Sequence, residues 1–156
     1  MKIVFLCVGG IKKGYIARGV EEYLKRIGRY SPVEVIEVKE GPAPKGAPRV
    51  DVLKREAERI VKKLGKRDFI VALSDTGRVF DSKGFSGFFE RILSGGKQRI
   101  CFIVGGAYGL HPTVVEGADA NLSLSAMTMP HELARLVLFE QVYRAFTIMK
   151  GEPYSH

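Results

Sequence analysis

Apolar and polar positions alternate in blocks that change period along the chain. Lys2–Val8 holds a short unbroken apolar run, Ile3 to Val8, closed by Gly9-Gly10, the pattern of a buried strand. From Tyr15 to Gly28 the apolar residues Ile16, Val20, Tyr23, Leu24 and Ile27 recur at helical spacing, and Gly28 is placed as a C-cap. Val33–Val38 predicts a second strand. Gly41–Pro48, with three prolines and two glycines, predicts a mobile loop that is neither strand nor helix. A second amphipathic helix follows, with Leu53, Ala57, Ile60, Val61 and Leu64 inward and seven Lys or Arg residues between Arg49 and Lys66. Phe69–Leu73 predicts a third strand with Ser74–Gly77 as the loop at its carboxyl end, and Phe85–Leu93 a helix. Ile100–Val104 is the most hydrophobic strand and leads into Gly105-Gly106-Ala107-Tyr108-Gly109.

The last third departs from this rhythm. Pro112–Gly117 predicts a short helix, Asn121–Met127 a final strand, and Pro130 the first turn of a helix reaching about Met149. That helix is apolar nearly all round, from Leu133 through Phe139 and Val142 to Met149. One side is expected in the core and another against a second copy of the chain, a homodimer. The β-α-β order predicts one α/β domain over residues 1–156: a parallel sheet with helices on both faces.

Composition changes the picture little. The 156 residues are 46% hydrophobic and 27% charged, which excludes a disordered tail, a collagen-like repeat and a membrane bundle. No apolar run approaches the ~20 residues that span a bilayer. The amino-terminal run suits a first strand better than a secretory signal, because glycines and lysines follow it without a small-residue cleavage site. Cys7 and Cys101 lie in apolar runs far apart, as two reduced core thiols of a cytoplasmic protein would.

Charge is more informative in its distribution. Residues 1–78 hold 18 Lys and Arg against 10 Asp and Glu, whereas residues 79–156 hold 7 of each. The net charge of +8 therefore sits in the first half. A one-sided basic surface favours a polyanion, since Lys and Arg displace counterions condensed on phosphate, although solvated helix faces account for such charge equally well.

In an open parallel sheet, ligands bind outside the carboxyl ends of the strands. The loops there are Gly9–Gly14, Leu73–Gly77 and Gly105–Gly109. The first lacks the spacing of a phosphate-binding fingerprint and is read as a plain turn. Glycines 105, 106 and 109 would let a flat ligand approach main-chain N–H groups. There is no G-x-S-x-G or H-E-x-x-H, and His111, His131 and His156 are scattered, so neither a hydrolase nor a metal site is expected.

Three segments decide the reading together: I-V-G-G-A-Y-G-L (Ile103–Leu110), L-S-L-S-A-M-T-M-P-H (Leu122–His131) and E-Q-V-Y-R-A (Glu140–Ala145). In order and spacing they resemble the RlmH family, the pseudouridine-N3 methyltransferases of large-subunit ribosomal RNA within the SPOUT class. The opening M-K-I, E-E-Y-L-K-R-I (Glu21–Ile27), I-E-V (Ile36–Val38) and Pro153-Tyr154 extend the resemblance over the whole chain. It implies a C-terminal deep trefoil knot, a homodimer, and S-adenosyl-L-methionine bound in the knotted cleft. It carries the cofactor positions onto Leu73, Gly105, Leu124, Ser125, Ala126, Met127, Thr128 and Met129, a stretch that the residues alone present as a buried strand end. The implied substrate is a stem-loop of 23S rRNA in the assembled ribosome. Family members usually end in Tyr-His, whereas here Ser155 separates Tyr154 from His156.

Methyl transfer to a ring nitrogen needs an in-line approach and loss of the N3 proton. Positioning is worth up to roughly 7–11 kcal/mol in such reactions. A proton acceptor and a cation for the developing anion would assist. The candidates are His131, Arg135, Arg144, Tyr154 and His156, with water as an alternative acceptor. Arg144 can equally form a salt bridge between helices or subunits, and Tyr154 can stack on the base or pack the tail. Lys12, Lys13, Arg18, Arg26 and Arg29 are the candidate RNA contacts. The rival readings are a SPOUT methyltransferase for another RNA and a ribosome-binding factor without catalysis.

Overall fold

Strand β1 (Lys2–Val8) sends successive side chains to opposite faces of a sheet, and both faces are covered. Ile3, Phe5 and Cys7 pack with helices α1 (Gly14–Ile27), α3 (Ser82–Ser94) and α5 (His131–Lys150). Val4, Leu6 and Val8 pack on the other side with α2 (Arg49–Val61) and α4 (Pro112–Glu116). The remaining strands are β2 (Val33–Val38), β3 (Asp68–Val79), β4 (Arg99–Val104) and β5 (Ala120–Ser123). All neighbours pair in parallel in the order β2-β1-β4-β3-β5. This is the expected α/β architecture with helices on both faces. The computed structural model describes residues 1–41 and 45–154, so part of the expected mobile loop, Pro42 to Pro44, lies outside the described residues.

β1 and β4 form the centre, and every residue from Ile3 to Val8 is at 0% exposure. Strands buried on both faces read as continuous apolar runs, which is why both were legible. Cys7 and Cys101 point to opposite faces, and burial pushes each thiol up to about 12, so both are unreactive thiols at neutral pH.

Four elements differ from expectation. α2 ends at Val61, which is 58% exposed rather than inward, and Leu64 lies beyond the helix. β3 keeps an extended backbone to Val79, but its ladder with β5 is broken: Leu122 pairs first with Leu73 and then with Arg78. Ser74–Gly77 therefore loops out of the ladder while remaining strand-like, so the expected loop is a bulge within a longer strand. β5 spans four residues rather than seven, and 124–130 follow as irregular chain. α3 begins three residues early because the Asp81 carboxylate accepts the Gly84 N–H at 2.6 Å, an N-cap that outweighs the glycine inside the first turn.

The all-round apolar character of α5 has a local cause. The helix is flanked by α1 and α3 and lies on the sheet, with Leu138, Phe139 and Val142 at 0% exposure. The Phe139 ring lies 3.9 Å from that of Phe5. On the α1 side, Gly19 admits Leu136 so closely that a Cβ there would stand 2.8 Å from a leucine methyl. Leu133 remains exposed at 38%, and Leu136, Val137 and Tyr143 stay partly exposed in the single chain.

Candidate functional site

At the carboxyl end of β4 the chain turns sharply. Gly105 and Gly106 are buried, the Gly109 N–H donates to the Gly106 carbonyl at 3.1 Å, and Gly109 has φ +78°. A Cβ on Gly105 would lie 2.4 Å from the Gly109 carbonyl oxygen, so the turn closes only with glycine there. Tyr108 projects from it, half exposed, under the Arg49 guanidinium at 5.2 Å, and Arg49 also donates to the Tyr108 carbonyl at 2.9 Å. Neither Arg49 nor its helix figured among the sequence candidates, because no spacing links α2 to that loop.

The segment after β5 lies at the same end of the sheet. Ser123 and Ser125 order its start: the Ser123 hydroxyl donates to the Ser125 carbonyl at 3.1 Å, and the Ser125 hydroxyl accepts the Met127 N–H at 2.9 Å. Leu73 and Leu124 are partly buried against the core, whereas Ala126, Met127 and Thr128 are exposed and Met129 is intermediate. Met127 is 80% exposed, an unusual setting for a large apolar side chain that no packing in this chain explains. A cavity of about 330 Å³ lies beside Leu122, Ser123 and Leu124, closed by Phe80, Phe85 and Val137. Leu73, which immediately precedes the β3 bulge, thus pairs with β5, while Gly105 and Leu124–Met129 follow the carboxyl ends of β4 and β5. Closely approachable glycine backbone and exposed apolar side chains suit a nucleoside-bearing cofactor.

The first turns of α5 hold the loop after β1. The Glu132 carboxylate accepts the Lys12 N–H, and this bond, against a smaller effect of burial, holds its carboxyl below the usual range. One turn later, Arg135 is wholly buried and donates to the carbonyls of Val8 at 3.2 Å and Gly9 at 2.9 Å, and to Glu37 at 3.2 Å. The sequence placed Arg135 among cations for a developing anion. The structure instead directs its bonded nitrogens to the end of β1 and to β2, and its Nε has no partner among the described residues.

Arg144 and Tyr154 meet at the other end of α5. The Arg144 guanidinium donates to Glu140 at 2.6 and 2.9 Å and lies 4.7 Å from the centre of the Tyr154 ring. The Tyr154 hydroxyl donates to the same Glu140 oxygen at 3.1 Å and stands 3.3 Å from the Tyr23 hydroxyl. Burial first, then the Tyr23 hydrogen bond and the Glu140 charge, keep the Tyr154 proton on well above the usual tyrosine range. Glu140 and Tyr23 were not among the sequence candidates. The i,i+4 spacing of Glu140 and Arg144 was a legible signal for the first, whereas Tyr23 read as core.

His131 opens α5, thirteen residues before Arg144, or about 20 Å at the rise of an α-helix. His131 therefore sits with the cofactor candidates, and Arg144 with Tyr154 forms a separate cluster on the same chain. His156 lies outside the described residues. The basic candidates line α1 beside α5: Lys12, Lys13, Arg18 and Arg29 are exposed, while Arg26 is engaged with Glu22 at 2.7 Å and with the Tyr143 ring at 5.4 Å. Among the described residues no group of three or more His, Cys, Asp or Glu side chains is placed to hold a metal ion, and no helix is long and apolar enough to cross a membrane.

Comparison with known proteins agrees with this layout. A family model described as a predicted SPOUT methyltransferase matches residues 1–156. A protein of Streptococcus uberis named ribosomal RNA large subunit methyltransferase H is 42% identical over 157 residues, covering 99% of both chains. Proteins of the same name from Lysinibacillus sphaericus and Desulforamulus reducens are 41% and 42% identical over similar spans. A solved structure described as a probable methylase family protein from Haemophilus influenzae superposes with a TM-score of 0.57 at 14% identity, covering 98% of this chain and 68% of that one, which bears on the fold alone. The full-length match and the level of identity show that the chain belongs to the SPOUT methyltransferase family and, within it, to the ribosomal RNA large subunit methyltransferase H group.

Proposed function

We propose that this protein is a cytoplasmic, S-adenosyl-L-methionine-dependent methyltransferase that modifies N3 of a pseudouridine in a stem-loop of 23S rRNA on the assembled ribosome, and that it works as a homodimer. The observation that carries the reading is the 42% identity over 99% of both chains to a relative named for large-subunit ribosomal RNA methylation. A C-terminal trefoil knot belongs to the same proposal. It is supported by the SPOUT family match over residues 1–156.

S-adenosylmethionine, when bound, supplies an electrophilic methyl group. In this reading the Gly105–Gly109 turn and Leu124–Met129 hold it, with Leu73 and Leu124 against its adenine and main-chain groups on the purine edge. The protein's share of the chemistry is chiefly orientation, since no covalent intermediate is required. Arg144, fixed by Glu140, presents a rigid cation to the uracil oxygens as negative charge develops. Tyr154 retains its proton and serves as a donor and a stacking surface, so it is not the acceptor of the N3 proton. That proton passes to water or to the imidazole of His131 on the cofactor side; His156 is a further candidate.

The separation of about 20 Å along α5 between His131 and Arg144 supports the dimer, because a second copy can bring its Arg144–Tyr154 cluster to this copy's cleft. The partly exposed apolar side of α5 around Leu133, Leu136 and Val137 is the surface assigned to that contact.

The direct test is transfer of labelled methyl from S-adenosylmethionine to intact ribosomes and to protein-free ribosomal RNA, each with and without pseudouridine. Label in the pseudouridine-containing ribosome alone is the expected result. Label in another RNA would redirect the assignment, and cofactor binding without transfer to any sample would favour the non-catalytic alternative. A second prediction concerns the loop pinned by Glu132. Reversing charge at Lys12 and Lys13 is expected to weaken ribosome binding about tenfold or more and to flatten its salt dependence by roughly 0.7 per lost phosphate contact. Unchanged binding across a salt series would remove these lysines from the RNA surface.

A further inference from the structure

The amino-terminal ends of the strands, opposite the loops described above, carry a second concentration of cations. The turn from α2 into β3 reads Lys62-Lys63-Leu64-Gly65-Lys66-Arg67-Asp68, and its four cations are exposed. The turn before β4 lies alongside, because the Gln98 N–H donates to the Arg67 carbonyl at 3.2 Å, and it adds exposed Lys97. Asp68, the one carboxylate in this stretch, is buried and fully engaged. It accepts from Arg99 at 2.5 and 2.8 Å and from the Gly65 N–H at 2.7 Å. Burial would raise its carboxyl, but the Arg99 and Gly65 hydrogen bonds together hold it below the usual range. Among the described residues no salt bridge neutralises Lys62, Lys63, Lys66, Arg67 or Lys97. Cations at a helix C-terminus complement its dipole, which accounts for Lys62 and Lys63. It does not account for Lys66, Arg67 and Lys97, which lie beyond the helix.

Beside Lys97, a cavity of about 310 Å³ opens between α3 and the start of β3. Phe69, Phe88 and Ile92 wall it, and Arg91, Gly95 and Lys97 complete its lining. Aromatic walls bordered by cations are the chemistry that takes an unstacked base together with its flanking phosphates. An acidic protein surface would use the charges and leave the aromatic slot empty.

We propose that this end of the molecule is a second RNA-binding surface, in which the α2–β3 and α3–β4 turns contact phosphates and the Phe69–Phe88 slot receives one unpaired base. It rests on the reading of the protein as acting on ribosomal RNA. It adds a contact that the methylated stem-loop itself cannot make from the same point, since a six-residue strand such as β4 separates the two ends by about 20 Å. Its ligand is a flexible or single-stranded segment, because a base within a duplex is not free to enter the slot.

The test replaces Lys62, Lys63, Lys66 and Arg67 together by glutamine, which removes charge from exposed positions and disturbs no packing. Binding to purified large ribosomal subunits is measured over a salt series, with calorimetric titration of S-adenosylmethionine as the control for the donor site. The expected result is affinity at least tenfold weaker at low salt and a slope flatter by roughly 0.7 per lost contact, with cofactor binding unchanged. Phe88→Leu, which keeps an apolar side chain but removes the ring, is expected to weaken binding about fivefold or more. Wild-type affinity and slope in the quadruple variant overturn the proposal. So does patch-dependent binding that survives ribonuclease digestion of the particle, which would identify an acidic protein partner. Should the unaltered protein fail to bind ribosomal subunits, the ribosomal reading falls by itself. The two proteins are then compared on a single-stranded RNA oligonucleotide, where a loss in the variant supports the surface and equal binding overturns it.

Discussion

Arg135→Ala is expected to lower the free energy of unfolding by about 3–5 kcal/mol, through the cavity left by a large buried side chain and the backbone carbonyls left without a donor. The guanidinium is at 0% exposure and closes the carboxyl end of β1 through the Val8 and Gly9 carbonyls. Truncation leaves those carbonyls without their donor and opens a cavity in place of the bulkiest fully buried side chain among the described residues. Glu37 is the contrast, because its side chain is 48% exposed and water can replace the arginine. Glu37→Gln is expected to cost less than about 1 kcal/mol. Urea unfolding at one fixed protein concentration measures both, which holds constant any contribution from the proposed dimer. A loss below about 1 kcal/mol for Arg135→Ala would show that the arginine is dispensable to the fold and return it to the list of possible anion contacts.

Gly105→Ala is expected to abolish measurable donor binding, or at least weaken it by more than about tenfold, because backbone rather than side chain stands in the way. The new methyl would meet the Gly109 carbonyl oxygen at 2.4 Å and its carbon at 2.5 Å, and neither can move without opening the turn. Gly96→Ala is the matched control. Gly96 also needs a glycine backbone, with φ +73°, but nothing lies within 4 Å of its added Cβ, and it sits at the opposite end of the sheet. It is expected to cost roughly 1–2 kcal/mol of stability and leave the donor site unchanged. Calorimetric titration with S-adenosylmethionine separates the two. Wild-type affinity in Gly105→Ala would place the donor away from this turn.

Both predictions concern residues whose roles were unequally visible beforehand. Gly105 follows the most hydrophobic strand of the chain, and a glycine cluster at a strand's carboxyl end is a local signal. Arg135 gave the opposite impression: a cation inside an apolar helix, read as a candidate for an anion, that the structure shows bracing the end of β1. Its partners Val8 and Gly9 are 127 and 126 residues away along the chain, and they are backbone carbonyls that carry no side-chain signature. Glu132 was missed for the same reason, since its partner is the Lys12 main chain. The catalytic candidates show a different gap. Arg144, Tyr154 and His131 were grouped by chemistry, and helix geometry then separates His131 from the other two.

Periodicity along the chain was enough to set the ten elements, the parallel sheet and the two covered faces. These follow from short apolar runs in strands and from the 3.6-residue repeat in helices, both local properties. Three matters were settled only by tertiary packing. The bulge at Ser74–Gly77 exists because β5 pairs with β3 on both sides of it. The cluster of Tyr23, Glu140, Arg144 and Tyr154 exists because α1 and α5 lie side by side. The basic end with its aromatic slot exists because the turns before β3 and β4 are brought together by the sheet. Each depends on contacts between segments distant in sequence, for which no spacing in the chain encodes a distance in space.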